Sequence, residues 1–308
     1  MGILDNQKTT SLISSKVQLG LLYKLIMVLH MEEVSIETPY GKRVFIFENH
    51  ATAFQVWANE TDKHQHKPFV ISLDFHSDTK EAYSRNFPIK AERIDYQKKV
   101  LNEFYVCDMK IAEAMKELQH DEHIDASIKA GIISHSFSLQ FQDFRGTLSE
   151  EENQYYEIDA TRRHLERIPY PSGPFHYELP ENKMFVIAPN ETITDADILN
   201  SKNSVLEDSF LEVQFRKIES IMGSGWMENT NYILDIDLDY FTTYQSVRPE
   251  KPNAFYELIR NCSFITIAKE SGCVLANRLA GEHINSSILL DNILGQITTA
   301  CSMYRTGI

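Results

Sequence analysis

The distribution of apolar and polar residues divides the chain into short apolar runs separated by longer helical stretches. Runs of strand length, apolar at nearly every position or weakly alternating, occur at 68–75, 131–141, 183–188, 232–237 and 263–268. Apolar residues at helical spacing occur at 51–59, 91–119, 205–222 and 284–304. The segment Ser35–Glu48 is typical of a hairpin, with P-Y-G-K as its turn. The chain is therefore expected to alternate strands with helices after an initial hairpin.

Alternating strands and helices predict an α/β fold with a central parallel sheet flanked by helices. The 308 residues are expected to form one domain over 1–308. Residues 1–30 are expected to form an N-terminal arm, and the polar stretch 142–180 an excursion or loop that faces the substrate. In such sheets, ligands bind at the carboxyl ends of the strands, so the residues that follow each apolar run are the candidate functional residues.

Metal-binding side chains follow three of the apolar runs. The run V-F-I-F is followed by E-N-H, the run F-V-I-S-L by D-F-H-S-D, and Y-I-L by D-I-D-L-D-Y-F. Side chains two positions apart on a strand point to the same side, so each set can converge. The expected metal ligands are His50, Asp74, His76, Asp78, Asp235 and Asp237.

The composition of this set indicates which ions it would bind. Carboxylates crowded together resist burial, and divalent cations remove that cost by neutralising them. Two imidazoles and four carboxylates are too many ligands for one zinc ion with an open position. An oxygen-rich set favours a harder metal, and we expect two Mn²⁺ ions per subunit. We also expect Glu48 to orient His50.

These motifs resemble those of the ureohydrolases, the arginase and agmatinase group. D-F-H-S-D at 74–78 is similar to their D-A-H-x-D, D-I-D-L-D at 235–239 to their D-x-D-x-x-D, and His50 to the histidine that ends their G-G-D-H. The resemblance implies the three-layer fold that arginases share with deacetylases. The chain departs from the arginase pattern because E-N-H replaces G-G-D-H, and because the N-x-H-G segment that contacts free arginine is not found after Asp78.

The pattern looks closest to the peptide arginases, which convert arginine side chains of ribosomally made precursor peptides into ornithine. That resemblance implies an activated water that attacks the guanidinium carbon and releases urea. It also implies that Asp78 transfers the proton and that Glu282 orients the guanidinium. Two histidines are candidates for a proton shuttle, His123 and His283, and His283 is also a candidate for substrate binding. The expected partner is an arginine-containing precursor peptide, and a homo-oligomer is possible.

Three alternatives remain open on the sequence. One is a ureohydrolase of a small guanidino compound such as arginine or agmatine. Another is a zinc amide hydrolase of the deacetylase type, which is disfavoured because no H-H dipeptide occurs. The third is a non-catalytic peptide-binding protein on an arginase scaffold. Urea release from peptides and from small molecules, together with metal content, would distinguish these alternatives.

Charge and targeting features narrow the class of protein further. The formal net charge of −14 argues against nucleic-acid binding, which requires a basic face. The apolar segment 17–31 contains Lys24 and is shorter than a membrane span, and no signal peptide is apparent. The four cysteines show no C-x-x-C spacing. A cytoplasmic protein without a membrane or nucleic-acid partner is expected.

Overall fold

A computed structural model of the chain describes residues 32–61, 67–102, 107–140, 176–179, 184–187 and 200–306. In this part of the chain, eight strands form one sheet in the order β1-β2-β8-β7-β3-β4-β6-β5. The strands are β1 (Ser35–Glu37), β2 (Val44–Phe47), β3 (Phe69–Asp74), β4 (Ser136–Gln140), β5 (His176–Leu179), β6 (Met184–Ile187), β7 (Tyr232–Asp237) and β8 (Ile265–Ala268). The six inner strands are parallel, and the edge strands β1 and β5 pair antiparallel with their neighbours.

Helices precede or follow most strands in the described part of the chain. They are α1 (Thr52–Glu60), α2 (Lys90–Val100), α3 (Asp108–Met115), α4 (His123–Lys129), α5 (Asp208–Met222), α6 (Trp226–Asn229), α7 (Asn253–Asn261), α8 (Ser271–Asn277) and α9 (Ser286–Thr306). Short 3-10 turns occur at Pro39–Gly41, Leu238–Tyr240 and Gln245–Val247. Among the described residues, no helix combines the length and apolar character needed to cross a membrane.

The central strands are buried at every position, because helices cover both faces of the sheet. Alternate residues of a strand belong to opposite faces: Leu234 packs in a core with α5, α7 and α9, whereas its neighbour Ile233 packs in a second core with α1, α3 and α4. Ser72, Asp74, Asp235 and Asp237 have the same parity as Val70 and Ile233. The polar residues of these strands are therefore directed to the α1–α4 side of the sheet.

The α/β class, the central parallel sheet and the flanking helices are confirmed, as is the hairpin, whose strands β1 and β2 pair antiparallel. The single long helix over 91–119 is wrong. The helix α2 ends at Val100, and Cys107 is extended before α3 begins. The apolar stripe that suggested one helix spans two separate elements, and α2 itself buries only Gln97 and Val100.

Two further expectations from the sequence fall largely outside the described residues. The N-terminal arm over 1–30 lies wholly outside them. Of the excursion over 142–180, only β5 is described, and it extends the sheet beyond β6.

The two cores make a prediction about stability. Leu234 is fully buried at the centre of the sheet, so Leu234→Ala should lower the free energy of unfolding by about 2–5 kcal/mol, through lost burial and the cavity left behind. Chemical denaturation followed by circular dichroism measures this loss. The control Leu275→Ala removes a half-exposed side chain and should change the free energy of unfolding by less than about 0.5 kcal/mol. Equal effects of the two substitutions would contradict the described packing.

Candidate metal centre

Four adjacent parallel strands bring polar residues to one edge of the sheet. Asp74 ends β3, Asp237 ends β7, and His50 lies three residues after β2 and two residues before α1. Glu270 lies two residues after β8. Because β7 pairs with β3 on one side and with β8 on the other, the side chains that follow these strands meet at the carboxyl edge.

The first group of donors surrounds the Nδ1 atom of His50. This atom lies 3.1 Å from Asp78 Oδ2, 3.3 Å from Asp237 Oδ2 and 3.7 Å from Asp74 Oδ2. All four side chains are buried. Their donor atoms therefore converge on one small volume that is closed to solvent.

The second group surrounds His76, which lies at the open side of the cluster. Its Nδ1 atom is 3.2 Å from Asp239 Oδ2 and 3.7 Å from Asp74 Oδ1, and the His76 side chain is 40% exposed. Asp74 directs Oδ2 to the first group and Oδ1 to the second. One carboxylate is thus shared by both groups.

Asp239 was not assigned as a ligand from the sequence, although it is the third aspartate of D-I-D-L-D. It lies in the 3-10 turn that follows β7, where its backbone N–H donates to Asp237 Oδ1 at 3.1 Å. Its own Oδ1 accepts from Phe75 N and its Oδ2 from Asn277 Nδ2. The two-residue spacing of the aspartates therefore continues past the end of β7 into the turn.

Asp235 lies on the other side of His50 from the remaining carboxylates. Its Oδ2 is 2.8 Å from His50 Nε2 and accepts from Ser72 Oγ, and its Oδ1 accepts from Thr266 Oγ1 at 2.6 Å. His50, His123 and Asp235 form a third possible donor group. If His50 binds an ion through Nδ1, its ring hydrogen is on Nε2, and the Nε2–H group donates a hydrogen bond to Asp235.

Crowding controls the charge of the cluster. Burial raises the pKa of Asp74 well above its usual range, and the charges of Asp78, Asp237 and Asp239 raise it further. The pKa of Asp237 is also raised, first by burial and then by Asp239. Burial lowers the pKa of His76, but Asp239 outweighs this effect and brings it to about 9. Protons therefore reduce the repulsion between the carboxylates when no cation does so.

Two buried atoms of the cluster indicate that its residues fit metal ions. His50 Nδ1 and Asp74 Oδ2 have no hydrogen-bond partner among the described residues, an arrangement that costs free energy unless something else binds them. Cations would bind both atoms and would neutralise the carboxylates. The oxygen-rich donor set fits two divalent cations that prefer oxygen and imidazole ligands.

Glu270 is a further carboxylate at this edge that was not selected from the sequence. Its Oε1 accepts from His50 N at 3.1 Å, and its Oε2 lies 3.3 Å from His120 Nδ1 and 3.1 Å from Cys273 Sγ. Burial raises the pKa of Glu270, but hydrogen bonding to His120 and the charge of His50 outweigh it and bring the pKa to about 2. In the sequence, the position of Glu270 two residues after the apolar run 263–268 could have identified it as a candidate functional residue.

The remaining predicted residues lie in different environments. His123 is fully buried behind His50, with ring centroids 4.2 Å apart, and its Nδ1 donates to His120 O.

Glu282 accepts from Tyr244 N at 3.0 Å, and His283 is exposed. Glu48 accepts from Ser271 N, and no described contact joins it to the imidazole of His50. The roles assigned to His123, Glu282 and His283 stay predictions.

Comparisons with known proteins leave the family open. No protein-family model matches the chain, and no curated protein matches it. Among solved structures, the chain is similar to proclavaminate amidino hydrolase from Streptomyces clavuligerus, with 13% sequence identity and a TM-score of 0.37. The match covers 84% of this chain and 63% of that one, so this chain spans less than two thirds of that protein's length. A likeness this distant does not by itself assign a function.

Proposed function

We propose that the protein is a metal-dependent hydrolase that cleaves the guanidinium group of arginine side chains in a peptide, giving ornithine and urea. The observation that carries the proposal is the pair of donor groups that share Asp74. Paired sites with a bridging carboxylate suit hydrolytic chemistry, and the motifs around them resemble those of ureohydrolases.

In this proposal, one ion is held by His50, Asp74, Asp78 and Asp237, and the other by Asp74, His76 and Asp239. Bound at these residues, two divalent ions would supply a water molecule of lowered pKa, able to attack at neutral pH. Asp235 orients His50 by accepting a hydrogen bond from its Nε2–H group, which leaves Nδ1 to face the ion. This role revises the sequence-based expectation that Asp235 is itself a ligand.

Asp78 is proposed to move the proton. It is buried beside His50, and its carboxylate can accept a proton from the attacking water. As the bond between the guanidinium carbon and the side-chain nitrogen breaks, Asp78 returns that proton to the leaving amine. Oxygen from water is then found in urea, and the peptide keeps an ornithine side chain.

Glu270 is proposed to bind the substrate guanidinium. It accepts from His50 N, it belongs to neither donor group, and its low pKa keeps it charged. A charged carboxylate and a guanidinium form strong paired hydrogen bonds. His120, whose side chain is 41% exposed, lies beside Glu270 and is a contact for the same substrate.

A peptide is favoured over free arginine as the substrate because the motif that contacts free arginine's amino-acid end is missing. The half-exposed His76 also leaves one side of the cluster open to solvent.

A small guanidino compound is the second candidate. Urea release from an arginine-containing peptide, free arginine and agmatine separates the two, and a mass loss of cyanamide per arginine identifies ornithine. If the protein supplied with Mn²⁺ converts neither the peptide nor the small substrates, the proposal is overturned.

Metal content is the first prediction of this proposal. The wild-type protein dialysed against Mn²⁺ should retain about two ions, measured by mass spectrometry of the metal. Asp74→Asn should lose both, because Asp74 belongs to both groups, whereas Asp239→Asn should retain about one. Full occupancy in Asp74→Asn would refute the shared carboxylate.

The role of Asp235 makes a second prediction. Asp235→Asn removes a partner of His50 but no proposed ligand, so Mn²⁺ affinity should fall by about 10–100-fold without loss of a binding site. Calorimetric titration measures both quantities. Loss of one complete site would instead show that Asp235 binds metal directly.

A third prediction separates Glu270 from Glu282. Glu270→Gln should lower kcat/KM for the peptide by about a hundredfold or more, because paired bonds to a charged group are lost, and it should retain both ions. Glu282→Gln is the matched control and should change kcat/KM by less than about threefold, since Glu282 contacts the backbone of Tyr244. The reverse ranking would support the sequence-based assignment of Glu282.

A further inference from the structure

A buried carboxylate outside the donor groups holds the segment that follows Asp78. Glu122, at the start of α4, is fully buried. Its Oε2 accepts from Tyr83 N at 2.9 Å and Gln119 N at 3.2 Å, and its Oε1 accepts from Arg85 N at 2.9 Å and Ser84 Oγ at 3.0 Å. A buried carboxylate with four donors is fully satisfied and fixes the backbone that supplies them.

Neighbouring residues extend the same attachment. Asp125 Oδ2 accepts from Ala82 N at 2.7 Å, and the backbone carbonyl of Asp121 accepts from Lys80 N at 3.2 Å. The Asp121 carboxylate also accepts from Arg85 Nε. Residues 80–85 are therefore bound along their length to residues 119–125.

The attached segment begins two residues after Asp78, a proposed metal ligand. Both Asp78 and Tyr83, within the segment, have unfavourable backbone conformations. Asp78 has φ 49° and Tyr83 has φ 65°, a region that side-chain-bearing residues rarely adopt. Such conformations persist when the surrounding structure holds them. In this backbone conformation Asp78 directs its carboxylate to His50 Nδ1, and residues 80–85 fix the chain from two residues beyond it.

The same turn also carries His120, which lies against Glu270. Gln119, the residue before His120, donates to Glu122. One carboxylate therefore binds both the segment that follows Asp78 and the turn that places His120 beside the proposed guanidinium site. The second donor group, around His76 and Asp239, has none of these attachments among the described residues.

We propose that Glu122 is a positioning residue for one half of the centre: it holds Asp78 in place for the ion bound by His50, Asp74 and Asp237. The ion at His76 and Asp239 does not depend on it. This inference rests on the proposed function, because it assumes that the two donor groups bind metal.

The test is a calorimetric titration of the metal-free full-length protein with Mn²⁺, in which the two sites appear as separate steps. Asp78→Asn and His76→Asn identify which step belongs to which group. In Glu122→Gln, an amide replaces one acceptor oxygen, so two of the four donors lose their partner while the volume is kept. The step that is absent in Asp78→Asn should weaken by about tenfold or more, and the other by less than about twofold.

The matched control is Glu207→Gln. Glu207 also accepts two backbone N–H groups of a distant loop, from Glu250 and Lys251, and has no contact with Asp78. Both metal steps should match the wild type in this variant. Parallel weakening of both steps in Glu122→Gln, or no weakening, would overturn the inference. If the wild type itself binds no metal, the proposed function fails first, so the two failures are distinguishable.

A milder variant keeps the inference testable if Glu122→Gln does not fold. Ser84→Ala removes only the hydroxyl that donates to Glu122 Oε1. It should weaken the same step by about two- to threefold and leave the other unchanged. An equal effect on both steps, or an effect on the His76 step alone, would count against the positioning role.

Discussion

The structure of the candidate metal centre is governed by the free-energy cost of burying several carboxylates together. Asp74, Asp78, Asp235 and Asp237 are all buried at one edge of the sheet. Charges removed from water need a compensating partner, and neighbouring negative charges increase that need. Imidazoles, hydroxyls and raised pKa values supply part of the compensation, and the orphaned Nδ1 of His50 shows where more is required. The surrounding elements act mainly to hold these groups together.

The parallel sheet is what allows such crowding. Each strand delivers its last side chains to the same edge, and helices on both faces keep water out of the sheet below. The polar residues of β3 and β7 share one face, so their carboxylates meet beneath α1 and α4 instead of dividing between the two cores. Asp235 on β7 accepts from Ser72 on β3 and from Thr266 on β8 and also contacts His50, so one network links three strands and the segment before α1.

Much of this arrangement could be predicted from the sequence because strand ends are local signals. The apolar runs before Asp74 and Asp235 located the edge, and two-residue spacing grouped their carboxylates. Asp239 and Glu270 were missed because they lie beyond the last residues of β7 and β8, where the turns after the strands set the directions of their side chains. The position of Asp235 on the Nε2 side of His50 depends on Ser72 and Thr266 from neighbouring strands. The division of the 91–119 stretch into two helices also required tertiary information, since its apolar spacing continues across the break.

His50 and His76 differ in exposure to solvent, and this difference would determine how the candidate centre exchanges metal ions. His50 is 1% exposed, whereas the His76 side chain is 40% exposed. An ion held at the outer position would meet solvent directly, whereas an ion at the inner position would have to pass the outer one or wait for local opening. Metals would then enter in a fixed sequence, inner before outer, and leave in reverse. A chelator would then first produce a half-filled protein.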